Sequence, residues 1–439
     1  MTQTLPYLLL HVFRYAITSK QDMKMKKNLL FKLAASTFLL FSLVFTGCQD
    51  PIYEAIREDV PPEDATVSGN VNFITRYTAG GEEYLVLAAD EGLRYKQKDI
   101  NSHGAWKTYT LPFELHHYDY DSSSHSGEQI LAVLADSSYL YLISAVYDHT
   151  SIEGTSYPSE INLYAKIINA SNSEWDTSGD WTKVTTEINE YNIFPIFVST
   201  SSVELYYSGF RVFQTNAPKQ AHRAAFIQSY DLDNEVYKYY QLNGTSAPSE
   251  ITSTVEASII DPSPSSDSDY VPTALSAVYF GGGIKFFTCP AATTNETYTT
   301  DATHYYYSNG DSKLIYSDGT NTNATDPINT EKVISCLAVT KDSILVGHGK
   351  TPSTVGGIDR VNLSDGIPTG MGNFADINSN AKFQITSDYM VLALVNANPD
   401  KTEVESALYA SITFHSASNN FDNIGLWSYY PERGDWNRE

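Results

Sequence analysis

The chain has 439 residues, with 28 Lys+Arg against 52 Asp+Glu and a formal net charge of −24. That acidity argues against nucleic acid and anionic lipid surfaces as partners, because both are bound through clustered cations, and it leaves room for a divalent cation or a basic partner. Only three cysteines are present, too few for a four-thiolate metal centre.

Residues 1–22 form an apolar-basic stretch ahead of Met23. They are expected to be an extension from a mis-assigned start, with translation beginning at Met23 or Met25. From there residues 23–47 read as a lipoprotein signal peptide. Lys24, Lys26 and Lys27 form a basic cluster before an apolar run whose uninterrupted core is only Leu33 to Phe45. A membrane span needs about 20 apolar residues, and no basic stop-transfer cluster follows this run. A cleaved, exported signal is therefore expected.

The run ends Val44-Phe45-Thr46-Gly47-Cys48. This pentapeptide resembles a bacterial lipobox, with Phe45 bulkier than the leucine usual at that place. The resemblance implies a diacylglyceryl thioether on Cys48 and cleavage between Gly47 and Cys48. Two or three acyl chains then hold the protein stably, since each buried methylene contributes about 0.8 kcal/mol and one chain alone binds reversibly. An ordinary cleaved signal with an incidental cysteine is the competing reading. Residues 48–66, with Pro61-Pro62-Glu63-Asp64, read as an acidic flexible tether.

Six of the 28 basic residues and one acidic residue precede Cys48, so the exported chain is more acidic still. Its 32 tyrosines, with abundant Ser and Thr, suit β-sheet better than helix. Residues 67–439 repeat one device, an apolar run, a short polar turn and a second apolar run. Ile130 to Ala145 reads I-L-A-V-L-A-D-S-S-Y-L-Y-L-I-S-A, and Ala274 to Phe287 reads A-L-S-A-V-Y-F-G-G-G-I-K-F-F. Related pairs turn near residues 81, 201, 342 and 388, the last within Phe383 to Val395. The intervals are long enough for four strands each. Further strand pairs follow, and Trp106, Trp181 and Trp436 close three units in Gly-Ala-Trp or Gly-Asp-Trp phrases.

The expected fold is all-β: a β-propeller of six to seven four-stranded blades, six legible as units and a seventh hidden between residues 201 and 282 or made by closure. A β-sandwich, or a pair of β-sandwich domains, is the alternative. No sustained helical periodicity follows residue 60, and Pro262 to Ser268 reads as an exposed loop.

His116, His117, Asp119, Asp121 and His125 are candidate ligands for a divalent cation, against the plainer reading of a solvated, serine-containing loop. Asp231-Leu232-Asp233-Asn234-Glu235 lacks the glycine and the final carboxylate of an EF-hand and reads as a polar turn. Tyr305-Tyr306-Tyr307 and Tyr237, Tyr239 and Tyr240 are expected to pack between strands more than to bind sugar. Cys289 and Cys336 either form one disulfide or remain separate buried thiols. No nucleophile elbow, phosphate loop or His-Glu-x-x-His occurs, and no other cofactor is implied.

Taken whole, the lipidated Cys48, the acidic tether and the Tyr-rich propeller resemble spirochaetal propeller-type lipoproteins of unassigned role. The resemblance implies an exported protein of the bacterial cell envelope, anchored through Cys48 on the periplasmic or surface face, that binds or scaffolds a protein or glycan partner. A propeller glycoside hydrolase acting on extracellular carbohydrate is the alternative, its two carboxylates allowed to be distant in sequence.

Overall fold

The computed structural model describes residues 67, 71–89, 92–98, 106–112, 115, 126–148, 151–152, 155–156, 158–168, 181–184, 196–199, 204–207, 210–215, 217, 219–231, 233–260, 273–290, 298–300, 304–308, 312–318, 328–349, 355–372, 383–414, 424–430 and 435–439. Cys48, the tether and the loop at 262–268 lie outside them. The described strands belong to one compact unit, Ala65–Glu439.

The protein is all-β. Sheet one pairs β1 (Val71–Ala79), β2 (Glu82–Ala89), β3 (Gly92–Gln97) and β4 (Lys107–Thr108) in that order. Sheet two comprises β5 (Ser126–Ala135), β6 (Tyr139–Asp148), β9 (Glu160–Ile167) and β10 (Thr182–Val184), with a small hairpin of β7 (Ser151–Ile152) and β8 (Thr155–Ser156) between β6 and β9. A second hairpin, β11 (Ile196–Ser199) with β12 (Glu204–Tyr207), precedes sheet three, which is β13 (Phe210–Gln214), β14 (Ala225–Asp231), β15 (Val236–Asn243) and β16 (Ser246–Glu250). The short helix α1 (Thr252–Ser258) leads into sheet four, where β17 (Ile259–Ile260) adds in parallel to the hairpin of β18 (Thr273–Phe280) and β19 (Gly283–Pro290).

Three antiparallel meanders complete the chain. Sheet five is β20 (Tyr298–Thr300), β21 (His304–Ser308), β22 (Lys313–Ser317) and β23 (Ile328–Asn329). Sheet six is β24 (Ile334–Val339), β25 (Ser343–His348), β26 (Gly357–Ser364) and β27 (Ile367–Gly372). Sheet seven is β28 (Tyr389–Asn396), β29 (Leu408–Phe414), β30 (Gly425–Tyr430) and β31 (Asp435–Arg438).

The early strands bury both faces, as β24 and β25 do along their whole length, which is why they read as nearly continuous apolar runs, whereas the outer strands β16 and β27 are largely exposed. Strand residues alternate between faces, so neighbours in sequence serve different neighbours in space. Tyr305 and Tyr307 pack with Val278 and Phe287 of sheet four, while Tyr306 between them packs with Leu337 and Val346 of sheet six. Other apolar clusters join sheets one and two, two and three, three and four, and six and seven. A further one joins sheet seven to sheet one through Val395, Tyr409 and Leu426 against Val71, Leu85 and Leu87. The strands β1, β5, β13, β18, β20, β24 and β28 touch in that order, and β28 touches β1, so the succession of sheets returns to its start.

Several hairpin turns lie where the sequence placed them. Gly80 and Gly81 have φ of 59° and 83°, and Gly281 and Gly282 have 59° and 84°. Two consecutive positive φ angles make the type I′ turn whose twist matches the flanking strands, a conformation that glycine adopts without steric cost. The turn at 136–138 is closed by Asp136 Oδ1, which accepts from the backbone N–H of Ser138 and Tyr139, both at 2.6 Å. Trp106 directly precedes β4, Trp181 directly precedes β10, and Trp436 lies in β31, so the Trp phrases do mark the last strands of sheets one, two and seven.

Three expectations need correction. The pair around residue 201 is the isolated hairpin β11–β12, and the complete sheet of that region is β13 to β16. Sheet five, at residues 298–329 and not between 201 and 282, was missed because H-Y-Y-Y-S owes its apolar character to tyrosine alone and K-L-I-Y-S has only three apolar residues in a row. Phe383 to Thr386 is not a strand, and β28 pairs instead with β29 from Tyr389↔Phe414 onward. The apolar character of Phe383 serves stacking on Trp427, at a centroid distance of 3.9 Å.

The junction of sheet seven with sheet one is sealed by charge. Lys96 Nζ lies 3.0 Å from Glu439 Oε2, and both side chains are wholly buried. The same carboxylate accepts from Trp106 Nε1 at 2.5 Å and from the Ser428 hydroxyl. Lys96 Nζ also sits 5.3–5.5 Å from the ring centroids of Trp106, Tyr409 and Tyr430. Around this pair Val67 N–H donates to the Glu439 carbonyl and Glu439 N–H to the Leu426 carbonyl.

Removing one partner of such a pair leaves a lone buried charge, which typically costs about 3–5 kcal/mol. Lys96→Met is expected to lower the urea midpoint by that stability, and adding Glu439→Gln is expected to restore part of it. Equal midpoints for wild type and Lys96→Met would show that the pair does not hold the junction.

Candidate functional site

The connections between the first and second strands of sheets one to three gather at one end of the protein, and Gln220, in the connection from β13 to β14, is their hub. Its Oε1 accepts from Thr78 N–H at 3.1 Å, and its Nε2 donates to the Asp136 carbonyl at 2.6 Å. The neighbouring His222 ring stacks on Tyr279 beside the β18–β19 turn, at a centroid distance of 3.7 Å, which brings sheet four to the same end. Between the first strands, Gln214 and Thr75 exchange side-chain hydrogen bonds at 2.9 and 3.1 Å, and Gln214 Oε1 also accepts from Ala135 N–H.

This turn end carries a cluster of cations. Arg223, 5% exposed, donates from Nε to the Ala217 carbonyl at 3.0 Å, and from one terminal nitrogen, Nη1, to both the Arg76 carbonyl and Gln220 Oε1. Its second terminal nitrogen reaches Glu83 Oε1 at 3.4 Å. Glu83 Oε2 is paired with Lys98 Nζ at 2.7 Å, and the Arg76 guanidinium approaches Glu83 Oε1 at 3.8 Å. Three cations thus surround one carboxylate in a chain whose net charge is −24. Two arginines converge here, with one acid rather than an acid pair.

A second ionic group links sheets six and seven. Glu403 has no exposed surface, and its Oε2 accepts from the Ser343 hydroxyl and lies against Arg360 Nε, both at 2.7 Å. Asp342 Oδ1 accepts from Glu403 N–H at 2.9 Å and from the Thr340 hydroxyl. Lys341 N–H donates to the Lys401 carbonyl, and Asn396 Nδ2 to the Val339 carbonyl. Burial pushes the Glu403 carboxyl up to about 7. The Ser343 bond and the Arg360 charge pull against that rise, and the Asp342 charge adds to it. Shut away from solvent, Glu403 serves as a clamp between sheets and not as an acid presented to a substrate.

A third group joins His348, which has no exposed surface, to Asp359, with Nε2 3.0 Å from Asp359 Oδ2. Lys332 Nζ lies 2.9 Å from the same oxygen. Burial would raise the Asp359 carboxyl, yet its bonds to His348 and Lys332 hold it below its ordinary value.

The predicted metal ligands His116, His117, Asp119, Asp121 and His125 lie outside the described residues, as does Cys48. Among the described residues no three His, Cys, Asp or Glu side chains are grouped to hold a metal ion, and no helix is long and apolar enough to cross a membrane. Cys336 is buried, its Sγ 3.7 Å from the Ser335 hydroxyl and from the Val391 carbonyl, and the side chain of Cys289 lies outside the described residues. Asp231 closes the polar turn after β14 by accepting from Asp233 and Asn234 N–H, and its pairing with Lys238 at 2.6 Å helps lower its carboxyl to about 2. Tyr239, Tyr240 and Tyr305 to Tyr307 are buried in the inter-sheet clusters, in keeping with packing, and Tyr237 is half-buried against one of them. Sequence reasoning missed the cationic cluster, since Arg76, Glu83, Lys98 and Arg223 form no local pattern.

No protein family and no curated protein matches this chain. Among solved structures, U3-55K is similar at 10% identity, over 83% of this chain and 98% of that one, with a TM-score of 0.37. Saccharomyces cerevisiae Sqt1 is similar at 8% identity, over 79% and 94%, with a TM-score of 0.34. Likenesses this distant carry no argument about function.

A carboxyl raised by burial favours the fold while it is protonated. The contribution of Glu403 is therefore complete below about pH 4.5 and is lost as pH rises through about 7, a change of roughly 3 kcal/mol. Glu403→Gln is expected to flatten this part of the stability-against-pH curve, as measured by urea unfolding between pH 4 and 8. A variant curve parallel to that of wild type would remove Glu403 as its source.

Proposed function

We propose that the protein is an exported, lipid-anchored β-propeller of seven blades that serves as a binding or scaffolding module of the bacterial cell envelope. The observation that carries the architectural part is the order of contacts from β1 through β28 and back to β1, with an apolar cluster at each junction. Six four-stranded sheets and one three-stranded sheet supply the blades, and radial repetition protects their edges. The anchor rests on Val44-Phe45-Thr46-Gly47-Cys48, with Cys48 as the lipidated residue.

What the fold does with its polar groups supports a binding role. Glu439 and Glu403 are buried and used to join sheets, which gives a stiff body able to hold loops in fixed relation. The partner is a protein or a glycan held on a loop face. Rigid presentation lowers the ordering cost of association, so affinity arises from pre-organised loops.

Metabolic labelling with a palmitate analogue tests the anchor. Wild-type chain is expected to take up label and partition with membranes, while Cys48→Ser loses the label and keeps its signal segment longer. Undiminished labelling of Cys48→Ser would overturn the lipoprotein reading, and an experimental structure with other than seven sheets around a channel would overturn the propeller.

A further inference from the structure

Arg76 is a nearly buried cation with no close acidic partner. Its side chain is 7% exposed, and its nearest acidic partner is Glu83 Oε1 at 3.8 Å, too far for a hydrogen bond. Among the described residues none of its five N–H donors is spent in a hydrogen bond. Arg223, beside it, is fixed by carbonyls and Gln220. Glu83 cannot serve both arginines fully, because Lys98 holds Oε2 at 2.7 Å and Arg223 is nearer than Arg76 to Oε1, at 3.4 Å.

A guanidinium this little exposed and without hydrogen bonds from the protein is costly to maintain. Its position in β1 explains why it is held there. Ile74, two residues earlier on the same face, and Leu85, its cross-strand partner, are packed into the cluster between sheets one and seven. The backbone is thereby locked, and the side chain projects from the edge of an apolar cluster into the cationic group at the turn end.

We propose that Arg76 is the principal contact of an oxyanion site on the turn end of the protein, with Lys98 and Arg223 supplying favourable field and Glu83 setting its strength. The ligand class is a group with two oxygens on one atom, a carboxylate or a phosphate, which a guanidinium binds through two parallel N–H bonds. The site goes beyond the binding role above and does not depend on the lipid anchor or on the number of blades. It gives an acidic protein a local means of holding an anion, since three cations here share one carboxylate.

The test is calorimetric titration of the full chain in detergent with sodium phosphate and, separately, sodium acetate, each against sodium chloride at the same ionic strength. Saturable binding of one or both anions by wild type is expected, and the anion that binds identifies the ligand as phosphate-bearing or carboxylate-bearing. Arg76→Lys keeps the charge but loses the planar fork, and should weaken binding about tenfold. Glu83→Gln removes the competing carboxylate and should tighten it, an outcome that a purely structural cluster would not produce. Lys98→Gln, at the more open edge, should weaken binding and supplies the loss-of-charge test even where Arg76→Lys folds poorly. Absence of saturable binding beyond chloride in wild type overturns the proposal, and so does an affinity unchanged in Glu83→Gln and Lys98→Gln.

Discussion

The contact between Lys96 and Glu439 is the constraint on which the arrangement of the other sheets depends. Six of the seven junctions join sheets that follow one another in the chain, so each is formed with modest loop-closure cost. The seventh joins residues 343 positions apart, and nothing local brings them together. A wholly buried ion pair is a poor source of net stability compared with apolar packing, but it penalises any arrangement that leaves either charge alone. The indole of Trp106 and the hydroxyl of Ser428 complete the carboxylate's partners, and three aromatic rings surround the ammonium. The pair thus selects one closure among the apolar contacts that sheets one and seven could make.

Closure in turn determines how the remaining polar groups are used. Once both faces of each sheet are covered, carboxylates near the junctions must be paired, protonated or expelled. Glu403 is held against Arg360 and Ser343 with its carboxyl raised by burial, and Asp359 is kept ionised by His348 and Lys332. The cluster at Arg76 departs from this balance. It has more cations than carboxylates and one guanidinium left without hydrogen bonds, which is the arrangement expected where a ligand, not the protein, completes the pairing.

Hairpins with glycine or Asp-Ser turns were legible because turn chemistry is local: Gly80-Gly81, Asp136-Ser137-Ser138 and Gly281-Gly282 need no distant partner to define them. Sheet five was not legible, since Tyr305, Tyr306 and Tyr307 behave as core only when sheets four and six cover them. Phe383 misled in the opposite way. It is apolar and precedes a turn, but Trp427 takes it up by stacking before it can pair as a strand. The sites followed the same division. His116 to His125 attracted attention because they are adjacent in sequence, whereas Arg76, Glu83, Lys98 and Arg223 are brought together by three separate segments.

The sequence by itself determined the all-β character, the turn positions and the repeated hairpin unit, because alternation, glycine and short polar turns act over a few residues. It also carried the expected address, written in a contiguous stretch ending at Cys48. Tertiary structure alone decided which hairpins were completed to four strands, which tyrosines became core, and which ionisable groups met. Those outcomes depend on the burial of each sheet between two others, a condition created only when residue 96 meets residue 439 and the succession of sheets is closed.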